Sequence, residues 1–233
     1  MNSTSPTQLI LGIKLNDEAR FDNFFVADAN RQLLDLLASE VAADQILYIR
    51  AMQGAGLTHL LQAVCHARSA IGESAIYLPL KDRLEFSPDI LEGIEALNLV
   101  CIDNVEVIAG DSQWELALFN AFNRAALSGT QLVFGANCAL SDIGLKLADL
   151  HSRLQLAPVY QLQSLADDDK KAALQMRAAS RGMNLNSKVA EYILARKERS
   201  MSSLMAVLEA LDTSTLSQRR ALTVPLVKDT MGW

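Results

Sequence analysis

Short apolar runs that alternate with helical patterns constrain this chain more than any other feature. Ile46-Leu47-Tyr48-Ile49, Ala75–Leu78, Asn98–Asp103, Gln131–Ala136 and Pro158–Gln161 read as buried strands. Helical spacing falls between them. Residues 30–42 carry Leu33, Leu34, Leu36, Leu37 and Val41, and a helix from Leu57 sets Leu60, Leu61 and Val64 on one face. Ser87-Pro88 has the form of a helix start, with Ser as cap and Pro at the first helical position. An amphipathic helix over 112–127 stops at Gly129. Strands alternating with helices predict an α/β domain over 21–163 with a mostly parallel five-stranded sheet flanked by helices. After Ser164 only helical patterns remain, at 167–181, 187–196, 200–212 and 223–230, with Gly182 ending the first and Thr223 capping the last. Residues 164–233 are therefore expected to form a small all-helical domain, and residues 1–20 a flexible tail.

The 233 residues suit one ordinary α/β domain plus a small second one. Half are apolar and 21% charged, which supports a packed core. The net charge of −6 argues against strong direct DNA binding, because a protein that grips a nucleic-acid backbone shows a basic face. Cys65, Cys101 and Cys138 are too far apart for a zinc knuckle and read as small apolar core residues in a reducing compartment. The first residues lack a basic leader, and no run approaches the roughly 20 apolar residues of a membrane span. A soluble, cytoplasmic protein with no membrane partner is expected.

The turn after the first strand resembles a phosphate-binding loop. That loop has the pattern GxxxxGK[ST], with backbone N–H groups around the phosphates, Lys neutralising them and Ser/Thr on magnesium. The matching window is Ala51-Met52-Gln53-Gly54-Ala55-Gly56-Leu57-Thr58, followed by His59. Gly56 and Thr58 are present, but Ala51 replaces the first Gly and Leu57 replaces the lysine. The helix start still attracts anions. Loss of the charge-assisted lysine contact removes roughly 1.5–3 kcal/mol, about ten- to a hundred-fold in affinity. The run Leu99-Val100-Cys101-Ile102-Asp103 ends in an acid that would sit beside magnesium. Asn104 follows it and cannot act as a base. Nucleotide binding without fast hydrolysis is the expectation.

At this point a resemblance becomes specific. Residues 20–30 (RFDNFFVADAN), 53–65 (QGAGLTHLLQAVC), 99–124 (LVCIDNVEVIAGDSQWELALFNAFNR), 150–154 (LHSRL) and 222–231 (LTVPLVKDTM) resemble the AAA+ module of the bacterial replication initiator DnaA and its regulatory homologues, which help inactivate it. The stretch from Asp103-Asn104 to Trp114-Glu115 is the most distinctive. The resemblance implies a P-loop AAA+ core followed by a helical lid. It makes Gln53, Gly54, Ala55, Gly56, Leu57, Thr58 and His59 a degenerate phosphate loop, and Asp103 and Asn104 the second motif. It puts Asn137 at a sensor position, Phe21 and Phe24 near base and ribose, and Arg153 at the position of an arginine finger. Ser202 stands where a second sensor arginine is expected, with Arg199 one turn earlier. A nucleoside diphosphate is the implied ligand, ADP first though another base would also fit, with Mg2+ on Thr58 and Asp103. No counterpart of the initiator's DNA-binding domain is expected.

An arginine inserted from a neighbouring subunit stabilises charge on a transferred phosphoryl group. The resemblance thus makes Arg153 act in trans on ATP held by DnaA. Gln8, Leu9, Leu11 and Ile13, within QLILGI, resemble short peptides that dock on the DNA polymerase sliding clamp. The implied protein is a negative regulator of replication initiation that docks on the clamp, stimulates ATP hydrolysis by DnaA and has little ATPase of its own. A homodimer or an AAA+-type oligomer is open. A helicase-loading or DNA-remodelling AAA+ protein and a stand-alone NTPase are the alternatives.

Overall fold

The computed structural model describes residues 15–39, 45–197, 200–218 and 222–233, with 215–218 as backbone only. The expected clamp-binding residues Gln8, Leu9, Leu11 and Ile13, the sensor candidate Arg199, and Val41 lie outside the described residues.

Five strands form one sheet: β1 (Ile46–Ala51), β2 (Ala75–Pro79), β3 (Leu99–Asp103), β4 (Gln131–Ala136) and β5 (Val159–Leu162). Their order is β2-β3-β4-β1-β5 and every pairing is parallel. A parallel sheet has both faces covered, which is why the inner strands read as continuous apolar runs. All five residues of β3 are buried.

Side chains alternate across the sheet, so each strand feeds two cores. Leu47, Ile49, Leu99, Cys101 and Val133 join Leu33, Leu37, Leu60, Leu61 and Cys65, on α1 (Arg31–Ala38) and α2 (Leu57–Ala70). Tyr48, Val100, Ile102, Leu132 and Phe134 join Trp114, Leu118 and Phe122, on α3 (Ser112–Ser128), and Leu150 and Leu154, on α4 (Ala148–Leu154). Asp103 follows Leu99 and Cys101 by the same parity. It therefore emerges on the α2 side, where Thr58 starts a helix. Gly135 lets α2 come close to the sheet: an added Cβ would lie 2.7 Å from Leu61 Cδ1 and 3.1 Å from Asp103 Oδ1.

The helical domain has a core of its own, with Leu174, Ile193, Leu204, Leu208 and Val227 at its centre. It comprises α5 (Asp167–Ser180), α6 (Ser187–Arg196), α7 (Met201–Gln218) and α8 (Val224–Met231). Thr223 caps α8 by accepting from the Leu226 N–H at 3.4 Å.

Several boundaries differ from the sequence expectation. Ser87 does cap a turn, but Pro88–Leu91 is one 3-10 turn and not a helix. α7 runs beyond 212, to Gln218. α4 was not anticipated, because two buried leucines, Leu150 and Leu154, give too little periodicity to mark a helix. Free Cys65 and Cys101 are buried and free Cys138 is half-buried.

Gly135→Ala is expected to destabilise the domain by about 1–3 kcal/mol, because the methyl overpacks the α2–sheet contact. A lowered urea midpoint at unchanged slope would show it; an unchanged midpoint would mean that α2 can retreat freely.

Candidate functional site

A cleft of about 520 Å³ opens where β1, β3 and β4 end and the lid meets the α/β domain. Its floor is the turn between β1 and α2. Gly56 caps α2 in the left-handed region at φ 101°, a conformation open to glycine, so the first N–H groups of the helix face the cleft. Gln53, Gly54, Ala55, Gly56, Leu57, Thr58 and His59 all line it. Leu57 is only 6% exposed and packs into the α2-side core. Its Cδ2 lies 3.2 Å from the position of a Cβ on Gly135. The lysine position of the loop has become a core position.

Asp103 is 1% exposed. Thr58 Oγ1 donates to its Oδ2 at 2.7 Å and the Tyr77 hydroxyl donates to the same oxygen at 2.8 Å. The Asn104 N–H donates to Oδ1 at 2.9 Å. Burial, and then the negative Asp103 beside it, pushes the Tyr77 phenol well above its ordinary value, so it stays a donor. Thr58 and Asp103 place a hydroxyl and a carboxylate side by side at the cleft, hard oxygens that fit Mg2+ completed by phosphates and water. Asn104 sits in the left-handed region at φ 58°, which Asn tolerates, and its buried Oδ1 has no partner among the described residues. Asn137 lines the cleft at the end of β4, and its Nδ2 donates to Glu106 Oε1 at 2.9 Å.

The opposite wall is aromatic and amide-rich. Phe24 and Phe25 line it, and the Phe24 ring meets His59 edge-on at 5.4 Å. Phe21, at the start of the 3-10 turn Phe21–Asn23, packs against the α2-side core and does not line the cleft. Burial holds the His59 imidazole below its ordinary value, opposed by its bond to the Arg20 carbonyl. A neutral His59 brings no charge to the site. Among the described lining residues the cations are Lys81, at the end of β2, and Arg177, from α5. Sequence reasoning missed both, and Tyr77 too. A buried strand tyrosine needs a hydrogen-bond partner, and that signal pointed to Tyr77; nothing local marked Lys81 or Arg177.

The lid is tied to the site at two places. The Met201 N–H donates to the Gly54 carbonyl at 3.2 Å, and a Cβ on Gly54 would lie 2.7 Å from Ser200 Cβ. Ser202 lines the cleft beside them. Arg177 and Arg181 both donate to Glu18 Oε2, at 2.8 and 2.5 Å. The Arg181 hydrogen bond leads the effects that hold the Glu18 carboxyl below its ordinary value, against the opposing effect of burial. Arg153 is elsewhere: it lies in the last turn of α4, exposed, outside the cleft lining, with no ion pair among the described residues.

Fold and site together have the architecture of an AAA+ module: a parallel α/β domain with a phosphate-loop-like turn, and a helical lid. Domain III of the replication initiation protein DnaA from Thermotoga maritima superposes with a TM-score of 0.80 at 19% identity, over 94% of this chain and 98% of that one. AMPPCP-bound DnaA from Aquifex aeolicus gives 0.71 at 18%, over 88% and 69%. The RuvB Holliday junction branch migration motor of Thermotoga maritima gives 0.66 at 15%, over 92% and 71%. These likenesses establish the DnaA domain III type of AAA+ fold. Residues 167–231, which span the helical domain, match the family described as "Hda, lid domain". No helix among the described residues is long and apolar enough to cross a membrane.

Tyr77→Phe removes one donor from a buried carboxylate and is expected to cost about 1–3 kcal/mol. Equilibrium unfolding measures this; full stability in the variant would show that Thr58 and the Asn104 N–H suffice.

Proposed function

We propose that this protein is a DnaA-related AAA+ regulator that holds a nucleotide as a structural ligand and acts on ATP bound to a partner. Leu57 carries the reading. A phosphate loop whose lysine position is committed to the core keeps the helix start, the Thr58 hydroxyl and Asp103, but lacks the loop's charge. With Asn104 after Asp103, no carboxylate follows the second motif to act as base. Low intrinsic turnover and a preference for a nucleoside diphosphate, ADP first, with Mg2+ on Thr58 and Asp103, follow from that chemistry. The cleft can accept such a ligand, and the AMPPCP-bound DnaA of like fold supports nucleotide binding.

The partner chemistry follows from Arg153. An exposed guanidinium on a helix packed through Leu150 and Leu154 is presented for another molecule's phosphates. The Hda lid and the DnaA-type fold favour the initiator DnaA as that molecule, and negative regulation of replication initiation in the cytoplasm as the outcome. The peptide Gln8–Ile13 would recruit the protein to the sliding clamp. Side-by-side packing into a homodimer or a mixed AAA+ assembly would bring Arg153 to a neighbour's nucleotide.

Arg153→Ala and Arg153→Lys are both expected to lower stimulated DnaA ATPase by at least about a hundred-fold, since a finger contributes roughly 10³–10⁵ and lysine lacks the planar fork. Full stimulation by both variants, or brisk ATP turnover by the isolated protein, would overturn the reading.

Replacing Gln8 and Leu9 by Ala is expected to abolish retention on immobilised clamp while leaving nucleotide affinity unchanged. Unchanged retention would remove the clamp from the scheme, and salt-sensitive DNA binding by the isolated protein would favour a DNA-remodelling role.

A further inference from the structure

α4 is seven residues long and is anchored by two buried side chains, Leu150 and Leu154. Two leucines one turn apart fix which face is down. They define poorly how the helix is rotated about that contact or how far along it lies. The residue that starts α4, Leu147, supplies no side-chain cap. The entry to the helix is fixed from outside, by Glu115 on α3.

Glu115 is 1% exposed. Its Oε2 accepts from the Leu147 N–H at 2.6 Å and from the Lys146 N–H at 2.9 Å; Oε1 accepts from the Lys146 N–H at 3.1 Å and from the Gly110 N–H at 2.7 Å. Burial pushes the carboxyl up, but the N–H groups of Lys146, Leu147 and Gly110 outweigh it and hold the group below its ordinary value. Gly110 ends the loop that leaves β3 through Asp103, Asn104 and the 3-10 turn Val105–Ile108. One buried carboxylate thus joins the loop beside the cleft to the two residues that lead into the helix of Arg153.

We propose that Glu115 is a positioning residue for Arg153, fixing the approach of that guanidinium to a phosphate held by a second protein. The proposal rests on the reading of Arg153 as a finger. Charge-assisted bonds to the backbone suit this task, because they hold the chain path itself whatever side chains it carries. Misplacement by about 1 Å can cost on the order of a hundred-fold in rate, so a helix entry held through the Lys146 and Leu147 N–H groups matters to catalysis on the partner.

Glu115→Gln keeps the size of the side chain but turns an NH2 group toward donors. It is expected to lower the maximal rate of stimulated hydrolysis about ten- to a hundred-fold, with the half-saturating concentration of this protein unchanged and its own ADP affinity unchanged. Amide hydrogen exchange should rise at Gly110, Lys146 and Leu147. If Glu115→Gln does not fold, Leu147→Pro withdraws one donor at a backbone φ of −76° that proline accepts, and the same kinetic split is read. Full stimulation by the folded variant overturns the proposal. So does a raised half-saturating concentration at unchanged maximal rate, which would make Glu115 a support for docking alone. Arg153→Ala is run alongside: if that variant keeps full stimulation, the finger reading itself fails, whereas loss in Arg153→Ala with none in Glu115→Gln refutes positioning only.

Discussion

The buried carboxylate of Asp103 is the contact around which the site is assembled. A negative group 1% exposed needs donors, and it receives them from the start of α2, from β2 and from its own following peptide. These bonds tie three segments that are distant in sequence. They fix the level at which the phosphate turn lies above the sheet. They also aim Asn104 into a left-handed turn, from which the loop to Gly110 departs. Close approach of α2 over Gly135 is the packing side of the same arrangement.

The sequence disclosed the parts of the fold that repeat and hid the parts that converge. Strands covered on both faces are continuous apolar runs, so β1 to β4 were readable nearly to the residue. Parity with Leu99 and Cys101 sets Asp103 on the side of α2 once the structure shows which face that helix covers. The helix bearing Arg153 was not readable, because two leucines make no pattern. Phe21 and Phe25 illustrate a second limit. Within one aromatic cluster, a 3-10 turn decides which ring faces the cleft, and that turn has no signature in FDNFF. Lys81 and Arg177 reach the cleft only through β2's place in the sheet and the seating of the lid, both long-range facts.

The lid meets the site through backbone and charge, and Ala173, Met201 and Met205 bring apolar surface to the cleft from its side. Met201 to Gly54 fixes the start of α7 on the phosphate turn, and Arg177 of α5 and Arg181 just past its end meet Glu18 in the segment before the first turn. The same segment is strapped along α2, where the Asn16 N–H donates to Gln62 and its carbonyl meets His66. Lid position, the amide-rich wall and α2 are therefore set by one short stretch of chain.

Leu57 also bears on what the phosphate turn could regain. A lysine restored at that position would have to turn its ammonium into the cleft and give up part of the packing that Leu57 makes in the α2-side core. In a marginally stable domain that loss of packing weighs against the gain of charge. The lost charge thus has a packing side: the van der Waals contacts that Leu57 makes in the α2-side core favour the apolar residue.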